Sequence, residues 1–352
     1  MPQTVNDFAL PPLYCPLPKA VSSFTDRAEQ HVLEWLDSTE LGRRPHLRNR
    51  ALELRGHRSA GFCLNGAEDE ELFRIIACFG VWILTSDDVL EAQPDAGRAA
   101  EVAGRYLRAF TAPGYRLPNR ELAGDEEVFI DAACGLAEQL RARCHPTHYN
   151  RLVHELRHYY LGALRMLASG QCETPPSEDQ YLAMRMEDGA VRHIWVMMEI
   201  GRQEVVPDDE FCAPAVQAAL DSAATSVILD NDLYSYRKEL DEPGKVNLVT
   251  VIRDNRGVSL EEAVAEAVTI RDRTLLLFLR LHERLKQTAG PALSGVLDQI
   301  ARVTRGHLEW AMETPRYRLS ISPEEFPWPS APSTTDSSPL PYPSISWWWN
   351  HL

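Results

Sequence analysis

From residue 24 to residue 314 the chain repeats one pattern, with apolar side chains three and four positions apart and charged residues between them. That period predicts amphipathic helices sharing a core. Residues 68–86 (EDEELFRIIACFGVWILTS) open on acids, which suit a helix N-terminus, and then become strongly apolar. Segments 99–112, 125–144 and 148–169 carry the same spacing. Residues 177–201 predict another helix, weakened at Asp188-Gly189 because glycine is a poor helix former. Residues 208–240 read as one long helix. Ser259-Leu260-Glu261-Glu262 is a capping box that opens a helix to about residue 287, and a last helix spans 291–314. No period-two alternation with hairpin turns and no internal repeat stands out. Roughly ten helices with short connections predict one all-α domain, a helical bundle over residues 23–320.

The two ends differ from this body. Residues 1–22 are punctuated by prolines and read as an N-terminal strap, while 321–352 are rich in Pro and Ser and end in Trp347-Trp348-Trp349. Such a composition argues against a helix and for a flexible or strap-like tail, whose tryptophans either dock on the domain or stay exposed.

Charge and cysteine content narrow the class. The formal net charge of −15 is the wrong sign for unaided binding of nucleic acid or an anionic membrane. A small anionic substrate would also be repelled unless metal cations bridged it to the protein. The seven cysteines are an odd number without a CxxC pair, so neither a disulfide framework nor a thiolate zinc site is suggested. The N-terminus lacks the basic start and apolar stretch of a signal peptide, and no apolar run is long enough for a membrane span. The expectation is a soluble, cytoplasmic protein.

Two clusters carry candidate chemistry. Asp87-Asp88-Val89-Leu90-Glu91 follows the most apolar helix. If that helix continues, Asp87, Asp88 and Glu91 lie within one turn and converge on one rim. Hard oxygen ligands there suit Mg²⁺, which bridges carboxylates to phosphate. Taken alone, the cluster reads more simply as a solvated acidic helix end. The second is Asn231, Ser235 and Glu239, at i, i+4 and i+8 on one helix face. Amide, hydroxyl and carboxylate oxygens make an all-oxygen site for a hard cation, with Lys238 beside it to hold a phosphate oxygen.

Asn231-Asp232-x-x-Ser235-x-x-Lys238-Glu239 resembles the NSE metal motif of class I terpene synthases of the bacterial type, and DDVLE resembles their aspartate-rich motif. The resemblance covers residues 87–317 and extends to three further elements. Arg185 stands where that family carries a pyrophosphate sensor, Asp188 and Gly189 where it carries a linker and an effector, and Arg316-Tyr317 where it carries an Arg-Tyr pair. It implies the class I terpenoid synthase fold with a central active-site cavity, and three Mg²⁺ ions. Asp87, Asp88 and Glu91 would bind two, and Asn231, Ser235 and Glu239 the third. Glu91 departs from the commoner aspartate, which makes Asp87 the favoured ligand of its motif. Arg185, Lys238, Arg316 and Tyr317 would grip an isoprenyl diphosphate. Its allylic cation would cyclise against aromatic faces, for which Phe79, Trp82, Trp195 and Trp310 are candidates. Base rates in the family favour farnesyl diphosphate, with geranylgeranyl diphosphate a close second, and leave a homodimer open.

Rival readings remain. A chain-elongating prenyl diphosphate synthase would share the fold but carries a second aspartate-rich motif where this chain has NDLYSYRKE. His154-Glu155-Leu156-Arg157-His158 is a literal HExxH, the zinc-protease signature, with Glu187 a conceivable third ligand. The continuation expected after it is missing, and an amphipathic helix with a polar face is the simpler reading. Cys144-His145-Pro146-Thr147-His148 reads as a surface turn.

Overall fold

Where the apolar period is unbroken the backbone is helical. The computed structural model describes residues 9–116, 124–240, 245–317, 319 and 321–352, and among these there is no strand. Four helices precede the first acidic cluster: α1 (Thr25–Ser38), α2 (Glu40–Arg43), α3 (Pro45–Glu53) and α4 (Gly56–Cys63). The next, α5 (Glu70–Glu91), begins at Asp69, whose carboxylate accepts from the Leu72 N–H at 2.9 Å. It does not stop at Ser86 but runs on through Asp87, Asp88 and Glu91. Then come α6 (Ala96–Thr111), α7 (Asp125–Arg143) and α8 (Pro146–Gly170).

The weakness at Asp188-Gly189 is a true break between α9 (Glu178–Asp188) and α10 (Val191–Arg202). Ala190, between them, has φ of 57°, a left-handed conformation that costs a residue with a Cβ some strain. A Cβ at Gly189 would lie 2.3 Å from Ile228, so only glycine fits there. Gly162 on α8 is equally constrained, since a Cβ there would come within 2.3 Å of the Asp188 backbone nitrogen.

The single helix expected over 208–240 is instead two, α11 (Asp208–Phe211) and α12 (Pro214–Glu239). Pro214 has no N–H to continue a helix but suits the first turn of a new one, and it starts α12. Then follow α13 (Leu248–Arg256), α14 (Leu260–Leu285), opened by the expected Ser259/Glu262 capping box, and α15 (Pro291–Glu313). The axis of the bundle is α12, which packs on α9, α10, α13, α14 and α15.

Of the N-terminal strap, residues 1–8 lie outside the described residues. Leu13 is buried, and the Tyr14 carbonyl accepts from Arg271, itself fully buried with its Nε 2.6 Å from Asp230 Oδ1. The tail is irregular over 321–342 and turns helical only at its end. A short α16 (Pro343–Ser346) leads into a 3₁₀ turn, Trp347–His351, that packs on α12. Trp348 is fully buried there and Trp347 stays partly exposed. Composition argued against helix because Pro and Ser are poor helix formers, but Pro343 falls at the helix start where proline is tolerated, and burial of Trp348 supplies the stabilisation.

Candidate active site

A cavity of about 430 Å³ opens among α4, α5, α8, α9, α10, α12 and α15. One end is polar. On α12, Asn231, Ser235 and Glu239 all reach it, as their spacing requires, and Lys238 joins them. Asn231 Oδ1 accepts from Arg185 Nη2 at 2.8 Å, and its Nδ2 donates to the Tyr234 hydroxyl at 2.9 Å. Ser235 Oγ donates to Glu239 Oε1 at 2.8 Å, and Asn247 Nδ2 donates to Glu239 Oε2 at 2.7 Å. Asp232 is turned about 100° from Asn231 on the helix and faces α9. It accepts from Arg185 Nε at 2.9 Å and the Tyr181 hydroxyl at 2.6 Å. The Arg185 guanidinium also holds Asp188 at 2.8 Å, so this one cation is bonded to Asp188, Asn231 and Asp232.

The aspartate-rich cluster behaves differently, and the expectation of one shared rim needs correction. Asp87 and Glu91 line the cavity, whereas Asp88 does not. Asp88 lies a third of a turn past Asp87 and is held by Arg50 Nε at 2.6 Å and Arg316 Nη1 at 3.1 Å. Its carboxylate therefore holds Arg316 in place. Glu91 is ion-paired to Lys245, which also lines the cavity. Asp87 accepts from the Tyr159 hydroxyl at 2.5 Å. Burial, reinforced by the nearby Glu91 charge, pushes the Asp87 carboxyl up to about 7.

Arg316 and Tyr317 lie in a 3₁₀ turn after α15 and both reach the cavity. The Tyr317 ring sits 4.4 Å from that of Tyr234, whose hydroxyl meets His307 Nε2. Burial pushes His307 and His193, which both line the cavity, down to about 4, so each is a neutral imidazole near pH 7.

Of the four candidate aromatics, Phe79 and Trp310 line the cavity. Trp82 and Trp195 do not. Their indole N–H groups donate to the Phe129 carbonyl at 2.9 Å and the Leu220 carbonyl at 3.2 Å, which commits both rings to helix packing. Tyr159, Lys245, His193, His307 and Asn247 were not singled out in the sequence. Tyr159 and the histidines sit in ordinary amphipathic stripes, and Lys245 lies outside any helix, so neither spacing nor periodicity marked them.

Of the rival motifs, His154, Glu155 and His158 do come together on α8, but none lines the cavity. Glu187 is not with them; it pairs with Arg165 at 2.7 Å. The Cys144–His148 segment is not simply a surface turn. His145 caps α8 through the Thr147 N–H at 3.2 Å, and His148 is buried with its Nε2–H donating to the Glu204 carbonyl at 3.2 Å.

A helical bundle whose apolar cavity is headed by oxygen ligands and by arginine and lysine defines an enzyme that binds a substrate with an anionic head and a hydrocarbon tail. Comparison with known proteins agrees. The family model for terpene synthase family 2, C-terminal metal binding, matches residues 78–275. The chain is 30% identical to spiroviolene synthase of Streptomyces violens, over 99% of this chain and 98% of that one. It is also 30% identical to bonnadiene synthase of Allokutzneria albata, over 99% of each. Among solved structures, the SVS_A2 protein from ancestral sequence reconstruction superposes with a TM-score of 0.84 at 32% identity, covering 97% of this chain and 99% of that one. The chain belongs to the terpene synthase family. It is a class I terpene synthase, a lyase that cyclises an isoprenyl diphosphate, and its family uses a bound metal. No helix among the described residues is long and apolar enough to cross a membrane.

Proposed function

We propose that the protein is a Mg²⁺-dependent cyclase of geranylgeranyl diphosphate, with farnesyl diphosphate the shorter alternative. The observation that carries this reading is that Asn231, Ser235 and Glu239 line the same cavity as Asp87, with Lys245 close enough to feel the charges of Asp87, Glu91 and Glu239 together. The donors are all oxygen, the set a hard dication prefers. In this reading Asp87 would hold two of three Mg²⁺ ions, with Glu91 assisting, and the α12 row the third. When bound, Mg²⁺ neutralises the diphosphate and acts as Lewis acid on its leaving oxygen.

The remaining work falls to side chains. Arg185, Lys238 and Arg316 supply cationic donors to the diphosphate and Tyr317 a hydroxyl. Asp88 fixes Arg316 from behind and Asp188 fixes Arg185, so both arrive oriented. Gly189, wedged against Ile228 at the helix break, ties the sensor to the cavity wall. Beyond this polar end the lining is largely apolar, which excludes water from an allylic cation. Phe79 and Trp310 offer π faces to it.

The length of the cavity supports the longer substrate chain. Along α5 the lining runs from Glu91 back to Ile76, about 22 Å at 1.5 Å per residue. Gly56, Ser59, Ala60 and Gly80 border that length with small side chains, where bulkier ones would shorten the cavity. This room supports the C20 chain over the C15 chain favoured by base rates. A relative named diterpene cyclase DtcycA, 26% identical over 98% of this chain, is consistent with it, while another is named as cyclising farnesyl diphosphate.

The test is incubation with geranyl, farnesyl and geranylgeranyl diphosphates, with and without Mg²⁺, read by gas chromatography–mass spectrometry. A Mg²⁺-dependent cyclic product from geranylgeranyl diphosphate is expected. Cyclic product from farnesyl diphosphate alone would overturn the chain-length assignment. Elongated linear diphosphates on adding isopentenyl diphosphate would overturn the cyclase reading.

A further inference from the structure

We infer that His154, Glu155 and His158 form a second metal site, for a transition-metal dication such as Zn²⁺, on the outer side of α8 and distinct from the Mg²⁺ end of the cavity. The helix places the histidines at i and i+4, and their rings lie close, tilted by 58° with centroids 4.2 Å apart. A ligand atom from each of the three residues lies within 4.8 Å of the others, and Glu155 Oε2 is 3.9 Å from His158 Nδ1. Tetrahedral zinc with bonds of about 2.1 Å spaces its ligands about 3.4 Å apart, so closing by up to about 1.4 Å completes the site. Both histidines are exposed and free to make it.

The second observation comes from Glu155 itself. Its side chain is 6% exposed, and Oε2 is buried without a hydrogen-bond partner. Oε1 has only a long contact of 3.5 Å to Arg192. A buried carboxylate oxygen left unpaired is costly, and a cation shared with His154 and His158 would satisfy it. Asp221 on α12, which bonds Arg192 at 3.1 Å, adds a second carboxylate to the neighbourhood. Two carboxylates against one guanidinium leave the vicinity net anionic. Imidazole nitrogens with carboxylate oxygen select zinc, copper or nickel over Mg²⁺.

The site is not that of a zinc protease. Glu155 is taken as a ligand and leaves no general base, Glu187 is engaged by Arg165, and none of the three residues lines the active-site cavity. It would bind a metal and hold the middle of α8, one residue from the Tyr159 that bonds Asp87.

The experiment is calorimetric titration of the full, untagged chain with ZnSO₄ in saturating Mg²⁺, with Co²⁺ absorption as a spectroscopic check. One equivalent binding near micromolar Kd is expected, weakened at least tenfold in His154→Ala and in His158→Ala. Both positions are exposed, so folding should survive, and unchanged metal-free melting confirms it. Zinc binding that persists in the double variant, or that is lost instead in Asp87→Asn, would overturn the proposal, as would no binding at all.

Discussion

The two oxygen-rich clusters that the sequence of this terpene synthase offered end unlike in the structure. On α12, three oxygen-bearing residues at i, i+4 and i+8, Asn231, Ser235 and Glu239, stay on one face and all line the cavity. At the end of α5, three acids within five residues disperse: Asp87 to Tyr159 and the cavity, Asp88 to Arg50 and Arg316, Glu91 to Lys245. A helix rotates adjacent residues by about 100°, so neighbours in a motif need not share a target, whereas residues a turn apart do. The spacing in a motif therefore says more about convergence than its density of charge.

The largest expected effect lies on the row. Asn231→Leu should lower pyrophosphate release by about 10³-fold or more, the loss of several kcal/mol of electrostatic stabilisation, with helical circular dichroism unchanged. Near-normal turnover would sink the α12 assignment. Support for that helix comes next. Trp348→Ala removes a fully buried ring from the turn packed on α12 and should cost about 3 kcal/mol or more in denaturant unfolding. An unchanged midpoint would mean the tail lends α12 nothing.

The dispersal on α5 is tested by unequal neighbours. Asp87→Asn should approach the Asn231 defect. Asp88→Asn should cost only about tenfold, chiefly in KM, because it loosens Arg316 and touches no metal. Equal losses in the two variants would restore a shared rim.

The smallest effect concerns pH. Asp87, held at about 7 in the fold, keeps its proton where an unfolded aspartate has lost it. Its contribution to stability is full below about 3.9 and disappears as pH rises through 7. Melting of the chelator-treated protein between pH 5 and 8 should show this downward slope, and Asp87→Asn should flatten it. Asn231 and Ser235 carry no titrating group, so Asn231→Leu should leave the slope as it is.

What the sequence made legible was whatever a fixed helical spacing carries. The continuation of α5, the α12 row, the break after Asp188 and the capping box at Ser259 follow from local rules. Pro214 was equally readable as a helix start, yet the apolar run around it suggested continuity. The partners of Asp88 and Glu91 were not legible, because Arg50, Arg316 and Lys245 are far away in the chain and meet them only through packing. Trp82 and Trp195 show the same limit: an apolar stripe tells that a ring is buried, not whether it faces the cavity or the neighbouring helix. Composition read the non-helical run 321–342 but not the docking of Trp348, because it averages over residues and one buried tryptophan outweighs many serines.

The contact at Gly162 bears on how Arg185 and Asp188 can move. With no side chain between the two backbones, α8 and the end of α9 meet like a rod resting on a fulcrum. Sliding apart would open a void that nothing fills, so rocking about that point is the motion of least resistance. A methyl group at Gly162 would act as a shim under the lever and shift Arg185 and Asp188 together.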